Sequence, residues 1–490
     1  MSRKNGENLS RKREPELTDL LQNPELEAGT RRLARYLSES RYDDLPAQVT
    51  REAVRSFVNW AGCAIGGANH ESVDIALATF TPFAGPAQAY MPGRRERTDC
   101  MLAALVSGIA SHVLDFDDTH PDILVHPSGP VASALLSLAQ YRTFSGPEVI
   151  NAFVAGVEVQ CRVARAVMPD HYEIGWHITG TAGIIGAAAA CSRLLGLDET
   201  RSAWALGIAA TQAAGLREMF GSMCKSFHVG RAAQGGLAAA LLAQNRFTSS
   251  ETALEGSRGF IHVLSTSPSP QALCRGLGEQ YELLRNTYKP FPCGLVIHPI
   301  LDGCIQLRDR HRLQGPDIER VDLIINPLAM ELTGKTAPST GLEGKFSIFH
   351  AAAVALLDGA GLEAQFSDER VVAKDVVALR SKVTARVDAA LGKEQARISI
   401  CLKNESRYEI FVTHCVGSLE RPMSDDQLDA KFLANAQPVL GDRASVALAA
   451  LRNLSQARDV AEIVRLCAAG NTQSTAASPS PAFVVPAQNA

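Results

Sequence analysis

Aromatic side chains are scarce here, neither charge sign dominates and no two cysteines sit close together. Phe, Trp and Tyr make up 6% of the 490 residues. The core must therefore be assembled from small side chains, which suits closely packed helices. Lys and Arg number 48 against 52 Asp and Glu, a net charge of −4. That near-balance offers no electrostatic basis for binding nucleic acid, though it leaves room for a local basic pocket. The eleven cysteines are scattered without a CxxC pair, which argues against a disulfide framework, a structural zinc site or an iron–sulfur cluster. No apolar run approaches the ~18 residues of a membrane span. The first twenty residues lack the apolar segment of a secretory signal, and their acids count against a mitochondrial presequence. The expectation is a cytoplasmic protein. Walker A, GxGxxG and GxSxG patterns are missing from the contexts that would give them meaning. The chemistry is therefore expected to need no cofactor. Asp and His at short spacing between 115 and 126 could bind a divalent ion, but no HExxH-type signature appears and no metal is expected.

The length alone allows roughly three domains at about 150 residues each. The texture of the chain changes twice. Residues 28–284 read as a helical domain. From Pro46, the residues Val49, Ala53, Phe57 and Ala61 recur every four positions, and Gly66 and Gly67 mark a stop. Segments 101–114, 131–139, 183–195 and 203–216 are apolar nearly all round, as central helices are. Residues 285–418 read as an α+β unit, with strands at 321–325, 383–387, 397–403 and 408–416 and a helix at 346–357. In the third strand Ile398, Ile400 and Leu402 alternate with polar neighbours. Residues 419–468 turn helical again, at 425–434, 443–451 and 457–468. Segments 1–27 and 469–490 are polar or Ser/Pro/Ala-rich and read as disordered. The fold class is thus mainly α, a large helical domain with an inserted α+β lid.

Four segments could carry chemistry. DFDDTHPDILVHPSG, starting at Asp115, lies between two apolar helices and places Asp115, Thr119 and His126 in one polar loop. Its blander reading is a capping segment. GWHITGTAG holds His177 just before a Gly/Ala-rich helix. GSMCKSFHVGRAAQGG spaces Lys225, His228 and Arg231 three apart, so that they share a helix face. An exposed charged face is the alternative there. NTYKPFPCGLVIHP puts Lys289 and His298 in a stiff loop at the junction with the α+β unit. Lysines and arginine can neutralise carboxylates, and histidine can move a proton near neutrality. Together they suit a small di- or tricarboxylate substrate.

These segments, with GLEGKFSIFHAAAVALLDG, resemble the MmgE/PrpD family over about residues 30–465. The family includes 2-methylcitrate dehydratase, cis-aconitate decarboxylase and iminodisuccinate epimerase. The resemblance implies a discontinuous helical body, a smaller lid, a site between them, a homodimer, and chemistry without metal or cofactor. It gives Asp115 and Thr119 to the active-site loop, His126 to proton transfer and Lys225 to substrate binding. It matches His177 to the histidine before the TGT turn and Lys289 to the lysine that opens the lid. His177 is expected to share the proton transfers and Lys289 to share in holding the carboxylates. Arg231 and His298 join the expected substrate-binding set. The stretch 332–340 is expected to line the substrate side of the lid. In some decarboxylase members a histidine follows the lid lysine after four residues; Gly294 holds that place here. The leading expectation is dehydration of 2-methylcitrate or a related 2-alkylcitrate, with decarboxylation of a cis-aconitate-type acid or epimerisation of an amino-dicarboxylate as alternatives. A member that only binds a metabolite is the reading outside catalysis.

Overall fold

The computed structural model describes residues 29–470. The two tails read as disordered lie outside the described residues, apart from 469 and 470, and Ala469 donates to Arg94 O at 3.0 Å. Helices of eight or more residues are, in order, α1 (Gly29–Glu39), α2 (Ala47–Gly66), α3 (Glu71–Phe80), α4 (Cys100–Val113), α5 (Ser128–Leu138), α6 (Gly146–Val167), α7 (Ile178–Leu194), α8 (Glu199–Ala210), α9 (Cys224–Gln244), α10 (His298–His311), α11 (Ile348–Asp358), α12 (Asp425–Leu440), α13 (Arg443–Arg452) and α14 (Val460–Cys467).

Helices α4 to α9 form the centre of the body, with α9 packed on α4, α5, α7 and α8, and α6 on α7. Their starts are set by local chemistry. Asp99 Oδ1 accepts from Met101 N and Leu102 N to cap α4, and Ser145 with Glu148 forms a capping box on α6. The shortage of aromatics has a direct consequence at the crossing of α4 and α9. A Cβ on Gly108 would lie 2.6 Å from Gly230 Cα. Only hydrogen at both positions lets the two backbones approach so closely. That crossing brings Lys225 of α9 beside the loop that follows α4.

The lid is built on a four-stranded sheet: β1 (Ile318–Ile325), β2 (Val383–Val387), β3 (Ala396–Leu402) and β4 (Arg407–Val412). Its order is β2-β1-β3-β4, with β1/β2 parallel and the other pairs antiparallel. Leu323 stands opposite Ile398, and Ile398 opposite Ile410. Helices α10 and α11 cover one face and share a separate apolar core with the strands. After β4 the chain returns to the body, where α12 packs on α2 and α13 on α12.

Several boundaries differ from the sequence reading. The segment expected to stay helical to 216 ends at Ala210, beyond which Gly215 takes φ +132° and Leu216 pairs with Trp176. The helix read as 425–434 runs on through Pro438 to Leu440. His298 is the first residue of α10 rather than part of a loop, and Pro299 sits at the position where proline suits a helix start.

Candidate active site

The pocket opens between body and lid. Asp115, Thr119, Leu124, His126, Tyr172, His177, Phe220 and Lys225 come from the body side, and Gly294, Leu295, Val296, Leu332, Thr333 and Phe346 from the lid, with Lys289 at the junction. The space between these residues is about 540 Å³ with its open mouth included.

The aspartates of the DFDD loop divide the work. Asp115 follows the C-cap of α4, donates its N–H to His112 O and takes φ +52°. Aspartate tolerates this left-handed conformation better than most side chains. The turn aims the carboxylate at two lysines, with Oδ1 accepting from Lys225 Nζ at 2.7 Å and Lys289 Nζ at 2.8 Å. Asp115 O also accepts from Lys289 Nζ at 3.1 Å. Burial pushes the Asp115 carboxyl up, but the two ammoniums outweigh it and hold it well below the usual range. Burial likewise works against both lysines. For Lys289, Asp115 and Asp117 overcome it and its pKa is raised. For Lys225, burial and the Lys289 charge prevail and its pKa is lowered. The pair is unequal, with Lys289 the firmly charged member.

Asp117 serves two histidines and is 0% exposed. His112 Nδ1 donates to its Oδ2 at 2.7 Å, and His126 Nδ1 lies 3.3 Å from its Oδ1. Thr119 Oγ1 is also 3.3 Å from His126 Nδ1, and His126 N donates to Thr179 Oγ1 at 3.1 Å. With Nδ1 turned to Asp117 and Thr119, the Nε2 edge of His126 is left for the pocket. Asp118 accepts from Ser128 N and Oγ at the start of α5, and from Asn286 Nδ2. The capping reading therefore describes Asp118, while Asp115 faces two lysines and Asp117 two histidines.

His177 is backed differently. Its N–H donates to Gly215 O, and its Nδ1 lies 2.9 Å from His228 Nδ1. One of the two rings must donate, and neither partner supplies a negative charge. Burial, followed by His112, Lys225 and His228, holds His177 well below the ordinary imidazole value. Burial also lowers His126, but there the Asp117 carboxylate pulls the other way. Of the two pocket histidines His126 is the better placed to hold a proton, although burial, Lys289 and Lys225 still leave it below the ordinary imidazole value.

Two expected substrate-binding residues lie elsewhere. Arg231 is exposed on α9, hydrogen-bonded to Gln234. Steps of three residues lag a full helical turn by about 60° each, so two steps carry Arg231 about 120° off the face of Lys225. His298 is 1% exposed behind the pocket wall, its Nε2 against Cys293 O at 3.4 Å. Burial, then the Lys289 charge, takes it down to about 3. Of the lid stretch 332–340, Leu332 and Thr333 reach the pocket. The residues the sequence reading missed are His112 and Asp117. His112 is the one ionisable side chain in an apolar helical run, a signal that was there to be read.

His112, Asp117 and His126 offer ligand atoms within 4.8 Å of one another. Both Asp117 oxygens already face imidazole nitrogens, however, and Lys225 and Lys289 stand close enough to oppose an added cation. The donor set therefore fits a hydrogen-bonded relay better than a metal centre.

Residues 31–273 match the MmgE/PrpD N-terminal domain and residues 291–456 its C-terminal domain. Human cis-aconitate decarboxylase is 28% identical over 461 residues, covering 89% of this chain and 94% of that protein. The mouse enzyme of the same name is 29% identical over 394 residues, covering 76% and 80%. A cis-aconitate decarboxylase of Aspergillus terreus is 26% identical over 380 residues, covering 73% and 78%. With both of its domains matched in order along one chain, this protein belongs to the MmgE/PrpD family.

Proposed function

We propose that the protein is a lyase that decarboxylates a cis-aconitate-type tricarboxylic acid with its own side chains. The observation that carries this reading is the mixed lining of the pocket. The ammoniums of Lys225 and Lys289 share it with apolar Leu295, Val296 and Leu332, the Phe346 ring lies 5.5 Å from Lys225 Nζ, and His126 with its Asp117 backing also faces the cavity. The decarboxylase names of the relatives favour it over the dehydration expected first.

Lys289 and Lys225 hold the two carboxylates that the product keeps. Asp115 keeps the ammoniums charged and spaced, so little reorganisation is needed on binding. The third carboxylate, on the saturated arm, lies against the apolar wall. Its charge is poorly solvated there, and that charge disperses as the bond to carbon dioxide breaks. The C–C bond of that arm cleaves, and its electron pair forms a new double bond to the central carbon. The former double-bond pair moves to the distal carbon beside a retained carboxylate, where the lysine charges stabilise it. The His126 imidazolium gives that carbon a proton from Nε2. The products are carbon dioxide and a methylidene dicarboxylate, with one proton consumed per turnover. Thr119 and Asp117 fix the ring, and the neutral His177–His228 pair forms part of the wall. The protein is expected to act as a homodimer.

Incubation with cis-aconitate and with 2-methylcitrate, with products resolved by mass, tests the reading. Loss of carbon dioxide from cis-aconitate supports it. Loss of water from 2-methylcitrate without any release of carbon dioxide overturns it.

A further inference from the structure

Lys431 comes from α12, in the part of the chain that returns to the body after the lid. It does not line the pocket, yet its ammonium is buried directly behind it. Lys431 Nζ donates to Asn59 Oδ1 at 2.7 Å, to Phe116 O at 2.6 Å and to Lys289 O at 2.9 Å. The nitrogen also lies 3.9 Å from the centroid of the Phe116 ring. All three donors of the ammonium are thereby used. Two of the acceptors are main-chain carbonyls of the working parts of the site. Phe116 follows Asp115, whose left-handed conformation aims its carboxylate at the two lysines. Lys289 carries the ammonium that Asp115 Oδ1 accepts.

We propose that Lys431 is a positioning residue that pins the Asp115 loop to the segment carrying Lys289, so that the C-terminal return completes the active site. This rests on the reading that Asp115 and Lys289 form the substrate cradle. Lys431 acts through the main chain, touching neither the pocket nor a bound acid. Its surroundings also tie the pin to pH. The groups facing it are the Cys63 thiol on α2, Asp117 and Asp118 in the loop, and Lys289 at the lid entrance. Burial, opposed by Cys63 and the two aspartates and aided by Lys289, brings Lys431 down to about 8. The pin is complete at neutral pH and loses one donor above that value.

The test uses the full chain with Lys431→Met and Lys431→Arg. In Lys431→Met, hydrogen exchange of residues 114–120 and 286–290, measured without substrate, is expected to speed up by about tenfold while α6 and α7 keep their rates. Turnover of cis-aconitate at pH 7, as kcat/KM, is expected to fall by about 30-fold, the scale of a small misplacement of catalytic groups. Lys431→Arg keeps its charge, so it recovers most of that loss and retains, above about pH 8, the exchange protection of residues 114–120 and 286–290 that the wild type loses there. Unchanged exchange, or exchange that rises equally across the body, overturns the proposal. If Lys431→Met does not fold, exchange of those segments that changes identically between pH 7 and pH 9 in Lys431→Arg and the wild type, after correction for the intrinsic rate, overturns it. If the wild type does not decarboxylate cis-aconitate, the exchange measurement decides alone, which separates this inference from the proposed reaction.

Discussion

Replacing Asp117 with Asn removes one negative charge and little volume. The carboxylate sits 2.7 Å from His112 Nδ1 and 3.3 Å from His126 Nδ1, with no exposure of its own. In the proposed reaction only the His126 contact changes its charge state, because that ring must be imidazolium to give its proton. The 3.3 Å contact is a charge pair rather than a full hydrogen bond. Close desolvated charge pairs couple by about 1.5–7 kcal/mol, the low end applying to this geometry, and about 1.4 kcal/mol corresponds to tenfold in rate. Asp117→Asn is therefore expected to lower kcat by about 10- to 100-fold. Removal of the ring in His126→Ala should fall within the roughly 10²–10⁴-fold range of a lost general acid. The direction of the pH effect is also fixed. Asp117 raises the His126 pKa against burial, so its loss leaves less imidazolium at any given pH. The high-pH fall in kcat should move to lower pH. Steady-state rates of carbon dioxide release between pH 5.5 and 8.5 measure both effects. A kcat within about twofold of wild type with an unmoved pH profile would refute the assignment of His126 as the acid.

Arg231→Ala should leave kcat/KM for cis-aconitate within about twofold of wild type, since the side chain is exposed and off the pocket face of α9; a larger loss would place it at the site after all. Gly108→Ala puts a methyl group 2.6 Å from Gly230 Cα. Denaturant titration should show about 1–3 kcal/mol less stability from this overlap, whereas a stabilised variant would mean that helix propensity outweighs the contact. Acidification should also destabilise the fold. His112, His171, His228 and His350 are depressed to about 4 from an ordinary 6.5, mainly by burial. The unfolded chain thus binds more protons between those values, and stability is lost as pH falls from about 6.5 towards 4. Asp118 and Glu158, raised to about 7 by burial, act in the opposite sense but are fewer. Melting temperatures that stay level or rise from pH 7 to pH 5 would contradict this balance.

The pattern of apolar positions made the helical body and lid legible, because periodicity reports burial directly. The strand at 383–387 and the start of α12 at Asp425 fall where alternation and turn residues put them. What the pattern could not carry was orientation over longer distances. Lys225 and Arg231 are six residues apart, and the slow rotation of the helix sends one into the pocket and the other to solvent. His298 begins a helix whose first turn buries it, a placement set by packing against the lid core. His112 looked like one polar residue in a buried helix until the loop folded back to set Asp117 against it. Lys431 lies more than 300 residues from Phe116, and only the return of the chain brings them together.

The most direct test of the proposed chemistry is turnover of cis-aconitate by the purified protein in heavy water. The expected result is one carbon dioxide released per turnover and a methylidene dicarboxylate carrying a single deuterium at the carbon protonated by His126, with both lost in His126→Ala. Release of water without carbon dioxide, or deuterium entering the acid with no net conversion, would contradict it.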